Sequence, residues 1–260
     1  MIHVGGIGDF ILACPAIQAL AWEGSVTLVG YPERLQLAVE VGIAQGVYSL
    51  DAIGFDSVFN QPNERLRKVL AEMDRIVVWM RDEDGKIQNT LVSLTEAEVL
   101  VFPGLPPEDY NRHASTYYTE CLGLPEQPPF QANVAKAETV YDIVIHPGSG
   151  GENKNWPLEN FEALAEAFVE AGREVSWCLG PAERERMERI PTGRVMECET
   201  LSDLASALAT AQHYIGNDSG ITHLAAMLGV STTALFSVTN PLVWGPRGAQ
   251  VSIVEQGACG

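Results

Sequence analysis

The stretch IGNDSGITHLAAMLGVSTTALFSVTNPLVWGP, residues 215–246, decides the fold. The run that leads into it, Tyr214–Gly216, is short, apolar and β-prone. Then come Asn217-Asp218-Ser219-Gly220, polar residues that suit a turn or a helix cap. Ile221–Leu228 is apolar and rich in helix formers, and Thr232–Phe236 returns to β-branched and aromatic residues. A strand, a turn, a helix and a second strand in about twenty residues make a crossover between parallel strands, and such sheets are covered by helices on both faces.

Working outward, the same alternation fills the chain. Strands are expected near Ile2–Val4, Val26–Val29, Arg75–Trp79, Glu98–Phe102, Asp142–Ile145, Glu174–Leu179 and Gln250–Val254. Helices are expected near Phe10–Ala21, Glu64–Glu72, Asn111–Leu122, Leu158–Ala171, Ala182–Arg189 and Leu201–Ala209, and Pro15 should kink the first of them. The run Leu124-Pro125-Glu126-Gln127-Pro128-Pro129 cannot continue a helix, and a polar segment follows it. This places a boundary near residue 135, giving domains 1–135 and 136–260. The fold class is α/β, with two Rossmann-like domains built on parallel sheets.

Composition narrows the function. The 260 residues carry 16 basic and 34 acidic side chains, a formal net charge of −18. A chain so acidic has nothing to neutralise a nucleic-acid backbone, so no nucleic-acid partner is expected. No apolar run approaches the roughly 20 residues of a membrane span, and the start lacks the basic and apolar regions of a secretory signal. Five scattered cysteines without C-x-x-C spacing suggest reduced thiols and a cytoplasmic location.

Ligands on open parallel sheets bind beyond the carboxyl ends of the strands, so the loops there hold the chemistry. The first is Gly5-Gly6-Ile7-Gly8-Asp9. Gly6 and Gly8 permit a tight turn, while Asp9 suits either a helix cap or a catalytic carboxylate. The second runs from His146 to Pro157, where glycines and Ser149 offer donors to a phosphate and Lys154 offers a charge. Trp156 reads as a packing residue, with Pro157 at the first helical position. In the third, Gly180-Pro181-Ala182-Glu183, the acid fits the first turn of a helix and could equally bond a ribose; the helix-cap reading is preferred. The fourth is Asn217-Asp218-Ser219-Gly220, where a helix N-terminus suits a diphosphate. All three polar residues there are good caps, and His223 reads as structural. Asp82-Glu83-Asp84 has the D-x-D form of a metal site but sits in an acidic turn, where solvated side chains are expected. The histidines show no ligand spacing, so no metal is expected.

Three of these loops, in this order, resemble the ADP-heptose:lipopolysaccharide heptosyltransferases of glycosyltransferase family 9. The stretches are GGIGDFILACPAIQAL, IVIHPGSGGENKNWPLENFEALA and the opening segment with its closing T-x-P and W-G-P. The resemblance implies a GT-B architecture, two Rossmann-like domains facing across a cleft, the first on the acceptor side and the second binding the nucleotide-sugar. It implies an inverting, metal-independent glycosyltransferase with no cofactor beyond its donor, ADP-heptose. In this sequence Asp9 falls on the general base, and Lys154 on the donor-contacting lysine. Asp218 falls on the acid that binds the donor sugar, Ser219 and Gly220 on the diphosphate loop, and Glu183 near the ribose-binding acid.

The expected partners are thus a nucleotide-sugar and a saccharide or lipid-linked saccharide acceptor, with membrane contact at most peripheral. Residues 1–138 hold 9 basic and 19 acidic side chains. That balance favours a neutral or weakly charged acceptor, or a local basic patch drawn from Arg34, Arg65, Arg67, Lys68 and Arg112. The alternatives are a GT-B-type nucleotide-sugar epimerase and a non-catalytic nucleotide-sugar-binding relative; the presence of Asp9, Lys154 and Asp218 together speaks for catalysis.

Overall fold

The computed structural model describes residues 1–186 and 192–256. The first half runs β1 (Ile2–His3), α1 (Ile7–Glu23), β2 (Thr27–Gly30), α2 (Pro32–Glu40), β3 (Gly46–Ser49), α3 (Glu64–Ala71), β4 (Arg75–Trp79), α4 (Lys86–Val92), β5 (Glu98–Phe102) and α5 (Ala114–Cys121). The second runs β6 (Ile143–His146), α6 (Leu158–Glu170), β7 (Val175–Trp177), α7 (Pro181–Arg186), β8 (Arg194–Val195), α8 (Leu201–Leu208), β9 (His213–Asn217), α9 (Gly220–Met227), β10 (Ser231–Phe236), α10 (Pro241–Trp244) and β11 (Val251–Glu255). Short 3-10 turns cover Phe55–Phe59 and Glu152–Lys154.

The chain divides into two compact units. One comprises Met1–Tyr110 and Ala114–Gln127, the other Asn111–His113 and the chain from Pro128 onward, so residues 128–135 pack with the second unit. Each unit holds one sheet whose strand pairs are all parallel. The first has the order β3-β2-β1-β4-β5 and the second β11-β10-β9-β6-β7-β8. Counted from its own first strand, each is a Rossmann winding, and each has a switch point where the order reverses: β1 beside β4, and β6 beside β9.

The sequence explains why these segments are strands. β6, Ile-Val-Ile-His, is buried along its whole length, and so are Ile76–Trp79 of β4, as central parallel strands covered on both faces must be. In the first unit Ile2, Val29 and Val78 meet Leu66 and Leu70 of α3 and Ile87 and Leu91 of α4. In the second, Ile143, Ile145, Trp177 and Ile215 meet Phe161 and Ala165 of α6. Polar starts fix several helices. Asn63 accepts from the Leu66 N–H at 2.9 Å. At α8, Thr200 and Asp203 each bond the other's backbone N–H, at 3.1 and 3.0 Å.

Most expected elements sit within a few residues of their places. α1 is continuous from Ile7 to Glu23 with Pro15 inside it. α5 begins at Ala114 rather than Asn111. Of the helix expected over Ala182–Arg189, the part to Arg186 is present, and residues 187–189 lie outside those described. α2, β3, α4, β8 and α10 were not anticipated. Among the described residues no helix is long and apolar enough to cross a membrane.

Candidate functional site

Three of the four loops singled out from the sequence follow strands at the switch points, β1, β6 and β9; the Gly180–Glu183 loop follows β7, the neighbour of β6. In the first unit the β1–α1 loop leaves the sheet at its switch point. Asp9 is the third residue of α1, and its Oδ2 accepts the Gly6 N–H at 2.9 Å, while Gly8 lies in the first helical turn. The carboxylate therefore does serve as a cap, holding a donor the helix leaves free. The loop is tight. A Cβ on Gly5 would stand 2.8 Å from the Asp9 Cβ and 2.9 Å from the His3 ring, so only glycine fits. The Gly5 carbonyl accepts from Arg34 Nη1 at 3.1 Å, and that guanidinium lies over the Tyr31 ring.

Beneath this loop His3 is buried, edge-on to Phe10 and Trp79. Among the described residues its Nδ1 has no hydrogen-bond partner. Burial pulls its pKa down to about 4, against a raising contribution from the Asp9 backbone, so the ring is neutral near pH 7.

The expected D-x-D turn follows β4. Asp82 accepts from the Ile87 and Gln88 N–H groups, both at 2.9 Å, and Asp84 from the Lys86 N–H at 3.2 Å. Glu83 pairs with Arg81 at 3.5 Å in solvent. Two of the three acids thus start α4. Among the described residues no group of three or more His, Cys, Asp or Glu side chains is placed to share a metal ion.

In the second unit the loops after β6, β9 and β10 converge, because those strands are neighbours. Lys154 Nζ meets Asp218 Oδ2 at 2.7 Å, 64 residues away in sequence. Asp218 is almost fully buried, while Lys154 keeps about a third of its side chain exposed. The same Oδ2 accepts from the Thr239 hydroxyl at 2.6 Å. Asn217, fully buried, stitches two loops together: its Oδ1 accepts from the Trp156 N–H at 2.9 Å and its Nδ2 donates to the Pro147 carbonyl at 2.8 Å. Of the three candidate caps, Ser219 alone fills the role, accepting from the Thr222 N–H at 3.3 Å at the head of α9, whose first residue is Gly220. Thr222 in turn donates to the Asn217 carbonyl at 2.5 Å.

Ser149 folds its own loop, donating to the Gly151 carbonyl at 2.7 Å. Trp156 packs edge-on against Phe161, as a packing residue should. Pro157 stands one place before the first helical residue, not at it, because α6 begins at Leu158. Glu183 starts α7, its Oε2 accepting the Gly180 N–H at 2.8 Å. The carboxylate also lies against Gly148, where any Cβ would overlap it, so Glu183 closes on the β6 loop while it caps. His146 ties the same loop to the neighbouring strand through Nδ1 and the Cys178 carbonyl, 2.8 Å apart, and burial holds its pKa down. His223 is buried behind Asp218. Desolvation lowers its pKa to about 4, outweighing the pull of the Asp218 charge, so the ring is neutral near pH 7.

Thr239, Asn217 and Thr222 were missed as members of this network. The T-x-P pattern marked Thr239, and the N-D-S-G run marked Asn217 only as a cap.

Two Rossmann windings, with polar residues gathered at the switch point of the second, define a doubly wound class of α/β protein. The sequence model of glycosyltransferase family 9 (heptosyltransferase) matches residues 110–259, more than half of the chain. The chain belongs to this family. It is similar to lipopolysaccharide heptosyltransferase 1 of Pseudomonas aeruginosa, 36% identical over 125 residues covering 46% of this chain and 35% of that protein. The Escherichia coli K12 protein of the same name is 27% identical over 124 residues, 46% of this chain and 39% of that one. The matched region thus spans little more than a third of these curated relatives. Among solved structures, a family 9 glycosyltransferase from Veillonella parvula superimposes with a TM-score of 0.75 at 18% identity, over 99% of this chain and 85% of that one. The E. coli ADP-heptose lipopolysaccharide heptosyltransferase II gives 0.76 at 16% identity, over 97% and 88%. An E. coli heptosyltransferase solved with ADP gives 0.71 at 18%, over 98% and 92%. These likenesses establish the α/β fold of the GT-B class.

Proposed function

We propose that the chain transfers heptose from ADP-heptose to a saccharide or lipid-linked saccharide acceptor, with inversion at the anomeric carbon and without a metal. The observation that carries this reading is the meeting of Lys154, Asp218 and the start of α9 at the switch point of the second sheet, in a member of family 9.

Asp9 takes the proton from an acceptor hydroxyl, whose oxygen then attacks the anomeric carbon. The bond to the diphosphate breaks on the opposite face through an oxocarbenium-like transition state. Negative charge grows on the leaving ADP. The Lys154 ammonium and the free N–H groups at Ser219 and Gly220 meet that charge, replacing a metal ion. Ser149 borders the diphosphate, Asp218 accepts from hydroxyls of the sugar, and Glu183 from the ribose. Gly6 and Gly8 keep the Asp9 loop close to the acceptor. The reaction belongs on the cytoplasmic side, with at most peripheral contact to the membrane.

The test is to incubate the protein with ADP-heptose and candidate acceptors and weigh the products, with and without a chelator. A heptosylated acceptor formed equally well with chelator supports the reading. ADP-heptose altered without acceptor indicates an epimerase, and binding without turnover a non-catalytic relative.

A further inference from the structure

The T-x-P turn, Thr239-Asn240-Pro241, follows β10, whose carboxyl end lies beside that of β9. Its shape is held locally. Asn240 accepts from the Leu242 N–H at 3.0 Å, and Pro241 opens α10. Two residues before the turn, Ser237 donates to the Asn153 carbonyl at 3.2 Å, which joins it to the short 3-10 turn carrying Lys154. Loops after three neighbouring strands therefore form one hydrogen-bonded assembly.

At its centre the two oxygens of Asp218 are used unequally. Oδ2 accepts from both the Lys154 ammonium, at 2.7 Å, and the Thr239 hydroxyl, at 2.6 Å. Oδ1 has no hydrogen-bond partner among the described residues. A carboxylate has about four lone-pair sites, so saturating one oxygen leaves the other able to accept from two hydroxyls. A lysine alone would not fix this orientation, because an ammonium is a flexible point charge. The short threonine side chain on a capped turn is directional, and its O–H can only donate to a carboxylate.

We infer that Thr239 is a positioning residue of the sugar site: by holding Asp218 Oδ2 it leaves Oδ1 to accept from hydroxyl groups of the transferred sugar. This rests on the donor-site reading above. It assigns Thr239 an effect on the sugar and none on the nucleoside diphosphate, and so predicts a split that a general loosening of the loop would not produce.

The experiment is calorimetric titration of the whole chain with ADP-heptose and, separately, with ADP. T239V keeps the shape of the side chain and removes its donor; T239S keeps the donor. T239V should weaken ADP-heptose binding about tenfold, the usual scale for a hydrogen bond to a charged group, and leave ADP binding within about twofold. T239S should bind both like the wild type. The inference is overturned if T239V binds ADP-heptose as the wild type does, or loses ADP and ADP-heptose to the same degree. Wild-type protein that binds neither ligand overturns the donor-site reading and this inference with it. Where T239V does not fold, T239A set against T239S makes the same comparison.

Discussion

At the scale of single residues, Asp9 has one role in the structure and is given a second by the proposed reaction. One carboxylate oxygen holds the Gly6 N–H, and the proposed reaction needs a basic oxygen at the same place. Asp9→Asn keeps the size and an oxygen that can cap, and removes the base. Turnover should fall by roughly 10²–10⁴ with little change in melting temperature. Turnover near the wild-type value would reduce Asp9 to a cap. A second prediction concerns His3 and His223, whose pKa values burial pulls to about 4. Unfolded, both protonate near 6.5, so the unfolded chain binds more protons between pH 6.5 and 4. The share of the stability that rests on these two neutral rings should be full above pH 6.5 and be lost, on the order of several kcal/mol, as the pH falls towards 4. Denaturant melts across that range check this; a flat profile would mean that neither ring is held neutral. Asp9, Lys154 and Asp218 were each legible in the sequence, because short motifs name them. The pairing of Lys154 with Asp218 was not. It depends on β6 and β9 being neighbours, and strand order is a property of the whole sheet that no local pattern encodes.

At the scale of elements, the legible ones had strong local signatures. β4 and β5 are dense in valine and isoleucine, and their bounds match the expectation residue for residue. The missed strands lack that density. β3 is Gly-Val-Tyr-Ser at an edge with no fully buried residue, and β8 has two residues. α4 went unread because its start signal, Asp82, lies five residues before the N–H it holds, outside the usual capping spacing. The contact of Gly148 with Glu183 gives the prediction at this scale. Gly148→Ala would drive a methyl group into the Glu183 carboxylate. The carboxylate should swing aside and give up the Gly180 N–H, which costs about 0.5–2 kcal/mol, the scale of a lost cap, and disturbs nucleotide binding with it. Adding Glu183→Ala should then cost little more, because the cap is already lost. If the single variant melts like the wild type, Glu183 contributes no cap.

At the scale of the whole molecule, the expectation of an α/β fold on parallel sheets holds because strand–helix alternation runs through both halves of the chain. The charge of −18 is a property of this scale too. Of the five basic residues available for an acceptor patch, Arg34 stands beside the Asp9 loop, Arg65, Arg67 and Lys68 share α3, and Arg112 packs with the second unit. The acidic background should therefore dominate at long range, and kcat/KM for a multiply anionic acceptor should rise with added salt as repulsion is screened. Steady-state rates for neutral and anionic acceptors at several ionic strengths test this; a preference for the anionic acceptor that weakens with salt would show local attraction instead. The strand order of the second unit also has a consequence during synthesis. A chain grows from its N-terminus, and β9 and β10 are made long after β6, so a nascent polypeptide ending between Lys154 and Asp218 displays the Lys154 ammonium with its partner still untranslated. Premature termination there removes at one stroke the carboxylate and both strands that set it beside the lysine.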